Sequence, residues 1–368
     1  MDDARSTPSH SAAHAAAESA TQVGLAHGHA GSIPASIDPS ATSSRKRAWG
    51  RYVGFGIGVA LLVAAMWAIL RDRAALDAAL TNLRGLPFYW HVLIVLMPMV
   101  NIVIISEQFF QLFQTAPDEP PYANPPTRTE MQALFGASWL ANYIPVRPGL
   151  FGRVAYHKLM NGVPVAKTIH IMFCGVACGG VAIASLLSAC LLVGWIGVKG
   201  AAFEPWLTYG IVGLPLVILP CAGIVLRSVR AQWSFFAYAC TVRYLDLLAW
   251  LVRYWVVFSI VGTELSLPQA AAIAAVSQAA MLVPFVGNGL GVREVAVGLV
   301  ASSLPPWFAV SGPVDTHVAL TADLLNRAGE VVGALIAGIA GFSWLYKHRG
   351  GGFRSFASGG RSKANTAN

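Results

Sequence analysis

Six apolar runs constrain the fold of this chain more than any other feature of its sequence. They lie at about 52–70, 88–113, 168–198, 206–226, 240–261 and 318–346. Each is long enough to cross the ~30 Å hydrocarbon core of a bilayer as a helix. Only 11% of the 368 residues are charged, whereas an average soluble domain is nearer a quarter charged. The composition therefore excludes an ordinary water-soluble enzyme and predicts an all-α polytopic membrane protein with about six transmembrane helices.

Charge, cysteine content and motifs exclude further classes. The net charge of +8 comes largely from basic residues in loops beside the apolar runs, where they set membrane orientation rather than bind nucleic acid. The five cysteines are odd in number and lie in or beside apolar segments, so no disulfide framework is expected. No nucleophile elbow, Walker loop or His-Glu-x-x-His motif occurs. We expect a transporter without a catalytic domain of its own, and no nucleic-acid partner, metal or cofactor.

The two ends of the chain differ from its apolar middle. Residues 1–50 are rich in Ala, Ser and His, and residues 347–368 are polar and basic. Such compositions cannot bury a core. We predict a disordered tail over 1–50, a transmembrane domain over 51–346 and a disordered basic tail over 347–368. Basic residues flank both tails and the 114–167 region, which predicts that these segments are cytoplasmic, although Arg71, Arg73 and Arg84 fall on the opposite side.

Two shorter apolar stretches, 131–144 and 269–283, divide the domain into matching halves. Each is followed by a Gly/Pro-rich break and a second short helical segment, which favours re-entrant hairpins. The halves, about 51–198 and 206–346, then contain the same elements as an inverted repeat. Such repeats are typical of transporters, and their paired breaks mark the binding site. Alternatively, both breaks are ordinary loops of a Gly-rich membrane protein.

The breaks carry the residue types that bind an anionic head group. A break before a new helix leaves free N–H groups at the positive end of the helix dipole, and an arginine adds a forked donor suited to phosphate. The predicted head-group residues are Asn142, Arg147, Gly149, Gly152, Arg153, Asn288, Gly289, Gly291, Arg293 and Glu294. Under the alternative, Arg153 snorkels to the interface, Arg147 is a loop charge and Arg293 pairs with Glu294.

A second group of polar residues lies within the predicted spans. These residues are Glu107, Arg243, Asp246, Arg253, Asp323, Asn326, Arg327 and Glu330. Because contact with lipid is costly for such groups, we expect them to line an interior path or to pair across helices. The alternative for the last span is an intrahelical ion pair between Asp323 and Arg327, which are four residues apart.

The two breaks resemble the signatures of a known family. Ser138-Trp-Leu-Ala-Asn-Tyr-Ile-Pro145, continuing through Arg153, and Val283-Pro-Phe-Val-Gly-Asn-Gly-Leu-Gly-Val-Arg-Glu294 are similar to the two motifs of the lysylphosphatidylglycerol synthase transmembrane-region, or flippase-like, family. Asn326-Arg327 resembles the polar pair of its closing helix. The resemblance covers about residues 50–346. It implies a stand-alone relative of the flippase half of these enzymes in the bacterial inner membrane, without the aminoacyl-transferase domain, so lysyl transfer is not expected.

Two functions follow from this interpretation. The first is translocation (flippase activity) of an anionic lipid or lipid-linked head group, with membrane lipids as partners. The second is a non-transporting partner that presents lipid to a separate lipid- or glycosyl-modifying enzyme, including one of hopanoid synthesis. The Pro/Asn-rich insertion 115–128 and the basic tails favour the second function, since they offer docking surfaces. A small-solute carrier ranks third, and the question of a homo-oligomer stays open.

Overall fold

Ten helices account for nearly all regular structure in the described part of the chain, and helical residues also occur at 81, 84 and 85. The computed structural model describes residues 81, 84–114, 124–143, 148–198, 205–281, 291–304 and 314–364, excluding the side chains of 197, 198, 205 and 349–364. The helices are α1 Phe88–Phe113, α2 Arg128–Ala141, α3 Pro148–Met160, α4 Val165–Val198, α5 Pro205–Gly213, α6 Pro215–Arg227, α7 Ala231–Ile260, α8 Leu267–Met281, α9 Val292–Ser303 and α10 Thr316–Ala364. The all-helical class predicted from the sequence is confirmed.

Five stretches are long and apolar enough to cross a membrane. They are Phe88–Phe113, Val165–Ile196, Trp206–Arg227, Ala231–Ile260 and Thr316–His348. These coincide with five of the six predicted spans and are compatible with an integral membrane protein. The remaining predicted span, 52–70, and the predicted tail 1–50 lie outside the described residues.

Two elements differ from the sequence prediction. The run 206–226 is not one helix but two, α5 and α6, because Pro215 has no N–H to donate and its ring clashes with the preceding turn. Helix α10 continues to Ala364, well past the end of the predicted span 318–346. The physical reason is that extending a helix already nucleated costs much less than starting one.

Helix α7 occupies the centre of the described structure. It packs against α1, α4, α6, α8 and α10. On one side lies the largest cluster of buried apolar side chains, which includes Leu186, Tyr244, Ile273 and Val297 from four helices. On the other side, α1, α2 and α4 contribute a second cluster. Polar residues on α7 therefore face protein rather than lipid over much of its length.

Glycines bring α10 into backbone contact with α1 and α2. A Cβ atom on Gly329 would lie 2.5 Å from the carbonyl oxygen of Ile94, and one on Gly341 would collide with the carbonyl oxygen of Ala133. Small residues at helix interfaces allow such approach in membranes, where packing rather than the hydrophobic effect holds helices together. The seam fixes α2 on α10.

Two pairs of short helices, α2 with α3 and α8 with α9, occupy the places predicted for hairpins. The members of each pair pack against each other. The breaks between them, 144–147 and 282–290, lie outside the described residues. At the far end of the first pair, the buried carboxylate of Glu130 accepts hydrogen bonds from Tyr156 Oη at 2.7 Å and Asn161 Nδ2 at 3.3 Å. These hydrogen bonds hold the start of α2 against the end of α3.

Candidate functional site

Four arginines and four carboxylates form a buried ionic network among α7, α9 and α10. Its members are Arg243, Asp246, Arg253, Arg293, Glu294, Asp323, Arg327 and Glu330, none more than 9% exposed. The formal charges of the eight cancel. Burying a charge costs several kcal/mol unless it is paired and hydrogen-bonded, so this balance lets the network exist inside the helix bundle.

Arg293 is held entirely by carboxylates of α10. Its Nη1 donates to both carboxylate oxygens of Glu330, at 3.0 and 2.9 Å, and its Nε donates to Oδ2 of Asp323 at 3.3 Å. Its side chain is 0% exposed. The guanidinium predicted to hold a head group therefore pairs with protein carboxylates, while its Nη2 is buried without a hydrogen-bond partner among the described residues.

Arg253 joins α7 to α1 and α10. Its Nη2 donates to Glu330 Oε1 at 3.0 Å and Asn326 Oδ1 at 2.7 Å, and its Nη1 donates to Asn101 Oδ1 at 3.0 Å. The amide of Asn101 donates in turn to Asp246 Oδ1 at 2.8 Å. A continuous set of hydrogen bonds thus runs from Asp246 to Glu330.

The pairings decide between the alternatives for α9 and α10. Glu294 accepts from Arg327 Nη2 at 2.7 Å, and Asp323 accepts from Arg293 and from Tyr254 Oη. These bonds join different helices, as expected from the cost of exposing the groups to lipid. Neither a local pair between Arg293 and Glu294 nor one between Asp323 and Arg327 is found among the ion pairs of the described residues.

Glu107 lies apart from this network. Its carboxylate pairs with Arg128 at 3.2 Å and accepts from Gln111 at 2.6 Å, and its side chain is 23% exposed. Arg128 is the first residue of α2 and is 63% exposed. Glu107 therefore joins the end of α1 to the start of α2 instead of lying on the interior path predicted for it.

A cavity of about 240 Å³ lies beside the network, bounded by α1–α4, α7 and α8. Its walls are mostly apolar. The polar lining includes Ser138, Asn142, Arg153, Arg243, Asp246 and Gln278. Arg243 is paired there, since its Nη1 donates to Asp246 at 2.5 Å and its Nη2 to Gln278 at 2.8 Å.

Arg153 also lines the cavity, but no carboxylate of the described residues pairs with its charge. Its guanidinium stands over the rings of Phe135 and Phe109, at 4.4 and 5.5 Å from their centroids. Its Nε is buried without a hydrogen-bond partner, and no carboxylate of the described residues forms an ion pair with it. Cation–π contacts attract the guanidinium but leave its charge in place. Arg153 thus lies inside the cavity instead of snorkelling away from it.

The other predicted head-group residues are scattered, and Gly152 lies on an exposed part of α3 where an added Cβ would meet nothing within 4 Å. Asn142 lines the cavity, and its Oδ1 is buried without a partner among the described residues. Gly149 lets α3 touch α2, because a Cβ there would collide with the carbonyl oxygen of Ser138. Gly291 precedes α9 with a φ of 78°, a conformation that favours glycine. Three more, Arg147, Asn288 and Gly289, lie outside the described residues.

His157 adds no charge to this region. Its Nδ1 lies 2.9 Å from Asn161 Oδ1, and its ring packs on that of Phe113 at 4.6 Å between centroids. Burial lowers the pKa of His157 to about 4, so the imidazole is neutral at physiological pH. Within the described residues, no three His, Cys, Asp or Glu side chains are placed to hold a metal ion.

Several residues of the site could not be singled out from the sequence. Phe109 and Phe135 are aromatic residues within apolar helices, a setting that carries no signal for a ligand. Gln278 and Tyr254 are different, since each is a polar group inside a predicted helix. The free-energy cost of exposing a polar group to lipid, which singled out the charged residues, also applies to these two and would have identified them.

No protein-family model, curated protein or solved structure matches this chain. The flippase-like resemblance therefore stays a prediction from two short motifs. What the chain does has to be inferred from the cavity, the uncompensated Arg153 and the network beside them.

Proposed function

We propose that this chain is an integral membrane protein that binds an anionic lipid head group in the cavity and moves the lipid between leaflets. One observation carries the proposal: the uncompensated cation of Arg153 inside a mostly apolar cavity. Arg153 is partly buried, its Nε is buried without a partner among the described residues, and ionisable groups within membrane proteins usually serve function or find partners. The forked guanidinium suits two oxygens of a phosphate group.

Charge and volume narrow the ligand. The described charged residues of the lining are Arg153, Arg243 and Asp246, whose formal charges sum to +1. One negative charge on the ligand would balance it. The cavity, at about 240 Å³, is smaller than the roughly 300–1,000 Å³ of sites that enclose a drug-sized ligand. Both observations favour a compact anionic head group over an oligosaccharide.

The pattern of helix packing supports translocation. If α1 is exchanged with α7, α2 with α8, α3 with α9 and α4 with α10, each packing pair among these eight helices has a counterpart. Thus α2 packs on α10 and α8 on α4, α2 on α1 and α8 on α7, and α3 on α4 and α9 on α10. This is the pattern expected of an inverted repeat with two re-entrant hairpins. Inverted repeats provide alternating access by movement of one half against the other.

The two halves of the proposed repeat differ at their arginines. Arg153 is the sixth residue of α3 and Arg293 is the second residue of α9, the helix that corresponds to α3 in the proposed repeat. Helix α10 supplies Asp323 and Glu330 to Arg293, whereas α4, its counterpart, contains no acidic residue. We infer that the first half provides the binding cation and the second half an ionic scaffold. Membership of the flippase-like family, whose signatures coincide with α2–α3 and α8–α9, is part of this proposal.

A leaflet-exchange assay tests the function. The purified full-length chain is placed in phosphatidylcholine vesicles that contain head-group-labelled anionic lipids. We expect Arg153→Gln to slow exchange roughly tenfold or more, because a hydrogen bond to a charged group contributes about 1.5–3 kcal/mol. Arg153→Lys should keep part of the activity, since lysine retains the charge but lacks the guanidinium that donates two parallel hydrogen bonds.

The matched control is Arg128→Gln, which removes an exposed arginine from outside the cavity. It should exchange lipid at the wild-type rate. If Arg153→Gln also does so while folding normally, Arg153 is not the head-group ligand. Binding that depends on Arg153 without any leaflet exchange would instead favour the lipid-presenting partner.

A further inference from the structure

Helices α3 and α4 together form one wall of the cavity. Leu150 and Arg153 of α3 line it, together with Met172, Gly175 and Val176 of α4. Val176 is also 51% exposed on the outside of the helix bundle. This side chain therefore stands at the boundary between the cavity and the protein's surroundings.

The surface around this boundary is apolar. Phe151 on α3 and Ile169 and Phe173 on α4 are 53%, 42% and 69% exposed. Exposed apolar patches of this kind are unfavourable in water but suit the acyl chains of a bilayer. The opening is thus framed by side chains that lipid would solvate.

The depth of the opening supports the same conclusion. Helix α4 lies in a candidate span that begins at Val165. Val176 is eleven residues further along, or roughly 16 Å at 1.5 Å per residue. The whole candidate span has 32 residues, so a ~30 Å hydrocarbon layer centred on it would cover about residues 170–190 and would include Val176. An opening at this depth faces hydrocarbon rather than water.

We propose that the cavity opens sideways into the bilayer through a portal between α3 and α4, with Val176 as its narrowing residue. The inference rests on the proposed function and specifies how the substrate enters. The substrate is a membrane-embedded lipid whose compact anionic head group reaches Arg153 while its acyl chains stay outside. A water-soluble anion has no path through this portal. Selection therefore depends on the head group and is indifferent to acyl-chain length.

Photocrosslinking of the full-length chain in phosphatidylcholine vesicles tests the portal. The probe is a phosphatidic acid that carries a diazirine on one acyl chain near the glycerol. We expect crosslinks on α3 and α4 that inorganic phosphate in excess does not reduce. Val176→Trp should lower crosslinking and leaflet exchange to background. Leu191→Trp, which enlarges an exposed side chain of the same helix fifteen residues from Val176 and outside the cavity lining, should change neither.

A second variant keeps the test independent of folding. Val176→Cys, in a chain with Cys174→Ser and Cys221→Ser, is purified and then alkylated with a bulky maleimide. Alkylation should block crosslinking in protein that has already folded. Crosslinks on α5 and α6 instead, loss of crosslinking with inorganic phosphate, or wild-type behaviour of both blocked variants would overturn the portal.

The variant Arg153→Gln distinguishes a failure of the portal from a failure of the proposed head-group site. If this variant crosslinks as the wild type does, the head-group site itself is wrong. If it loses crosslinking while the Val176 variants keep it, the head-group site stands and the lipid enters elsewhere.

Discussion

Glu330 is the residue on which the buried network depends most. Its carboxylate accepts hydrogen bonds from Arg253 and Arg293 and lies 3.8 Å from Arg327 Nη1. Removing its charge would leave two buried guanidinium groups facing an amide. Such a change is costly chiefly because of the cations left behind.

We expect Glu330→Gln to lower the free energy of unfolding by about 3–5 kcal/mol, the range for breaking a buried ion pair. The matched control is Glu107→Gln, the same substitution in a partly exposed pair, which should cost less than about 1 kcal/mol. Thermal unfolding of the detergent-solubilised proteins measures both. Equal losses in the two variants would contradict the structural role assigned to the network.

For single residues, the sequence predicted which side chains belong to the site better than it predicted which groups they contact. The expense of a charge in an apolar span singled out six of the eight network residues, and the motif after the second break supplied the other two, Arg293 and Glu294. The motifs after the two breaks, however, end in the same residue type and made Arg153 and Arg293 equivalent. Their difference lies on other helices, where α10 carries acids and α4 carries none. That asymmetry is visible in the sequence once the two helices are recognised as counterparts.

Among the helices, the seam between α2 and α10 gives the sharpest test of packing. A Cβ on Gly341 would collide with the backbone of Ala133, whereas one on Gly180 of α4 would meet nothing within 4 Å. We expect Gly341→Ala to cost about 1–3 kcal/mol through overpacking. Gly180→Ala should be neutral or stabilise by up to about 1 kcal/mol through helix propensity. Thermal unfolding measures the stability of both variants. An unchanged stability of Gly341→Ala would contradict the close contact between α2 and α10.

Helix positions followed closely from hydropathy, and helix interruptions did not. The short helices α2 and α8 begin within three residues of the predicted 131 and 269. The break between α5 and α6 was missed because proline and glycine hardly alter the hydropathy of a run. Gly213 and Pro215 nevertheless mark it directly, since proline cannot donate the hydrogen bond that a continuous helix needs.

For the molecule as a whole, the distribution of basic residues predicts sidedness. Arg227 and Arg230 flank the connection between α6 and α7, while the connection between α7 and α8 has no basic residue. In a chain with Cys174→Ser and Cys221→Ser, we expect Thr263→Cys to react with an impermeant maleimide in intact cells. Ser228→Cys should react only after lysis. Labelling of Ser228→Cys from outside would reverse the assigned orientation.

The network also bears on how the chain is made. Arg253 and Glu330 are 77 residues apart, and a ribosome adds roughly 5–20 residues per second, so α7 is complete roughly 4–15 s before this carboxylate exists. Asp246 finds Arg243 within α7 itself, but Arg253 has no carboxylate partner on that helix. An arginine released alone at the centre of a bilayer costs roughly 2.5–3.5 kcal/mol. We therefore expect α7 to be sheltered from lipid until α10 is made, so that the second half of the chain enters the membrane as a group of helices.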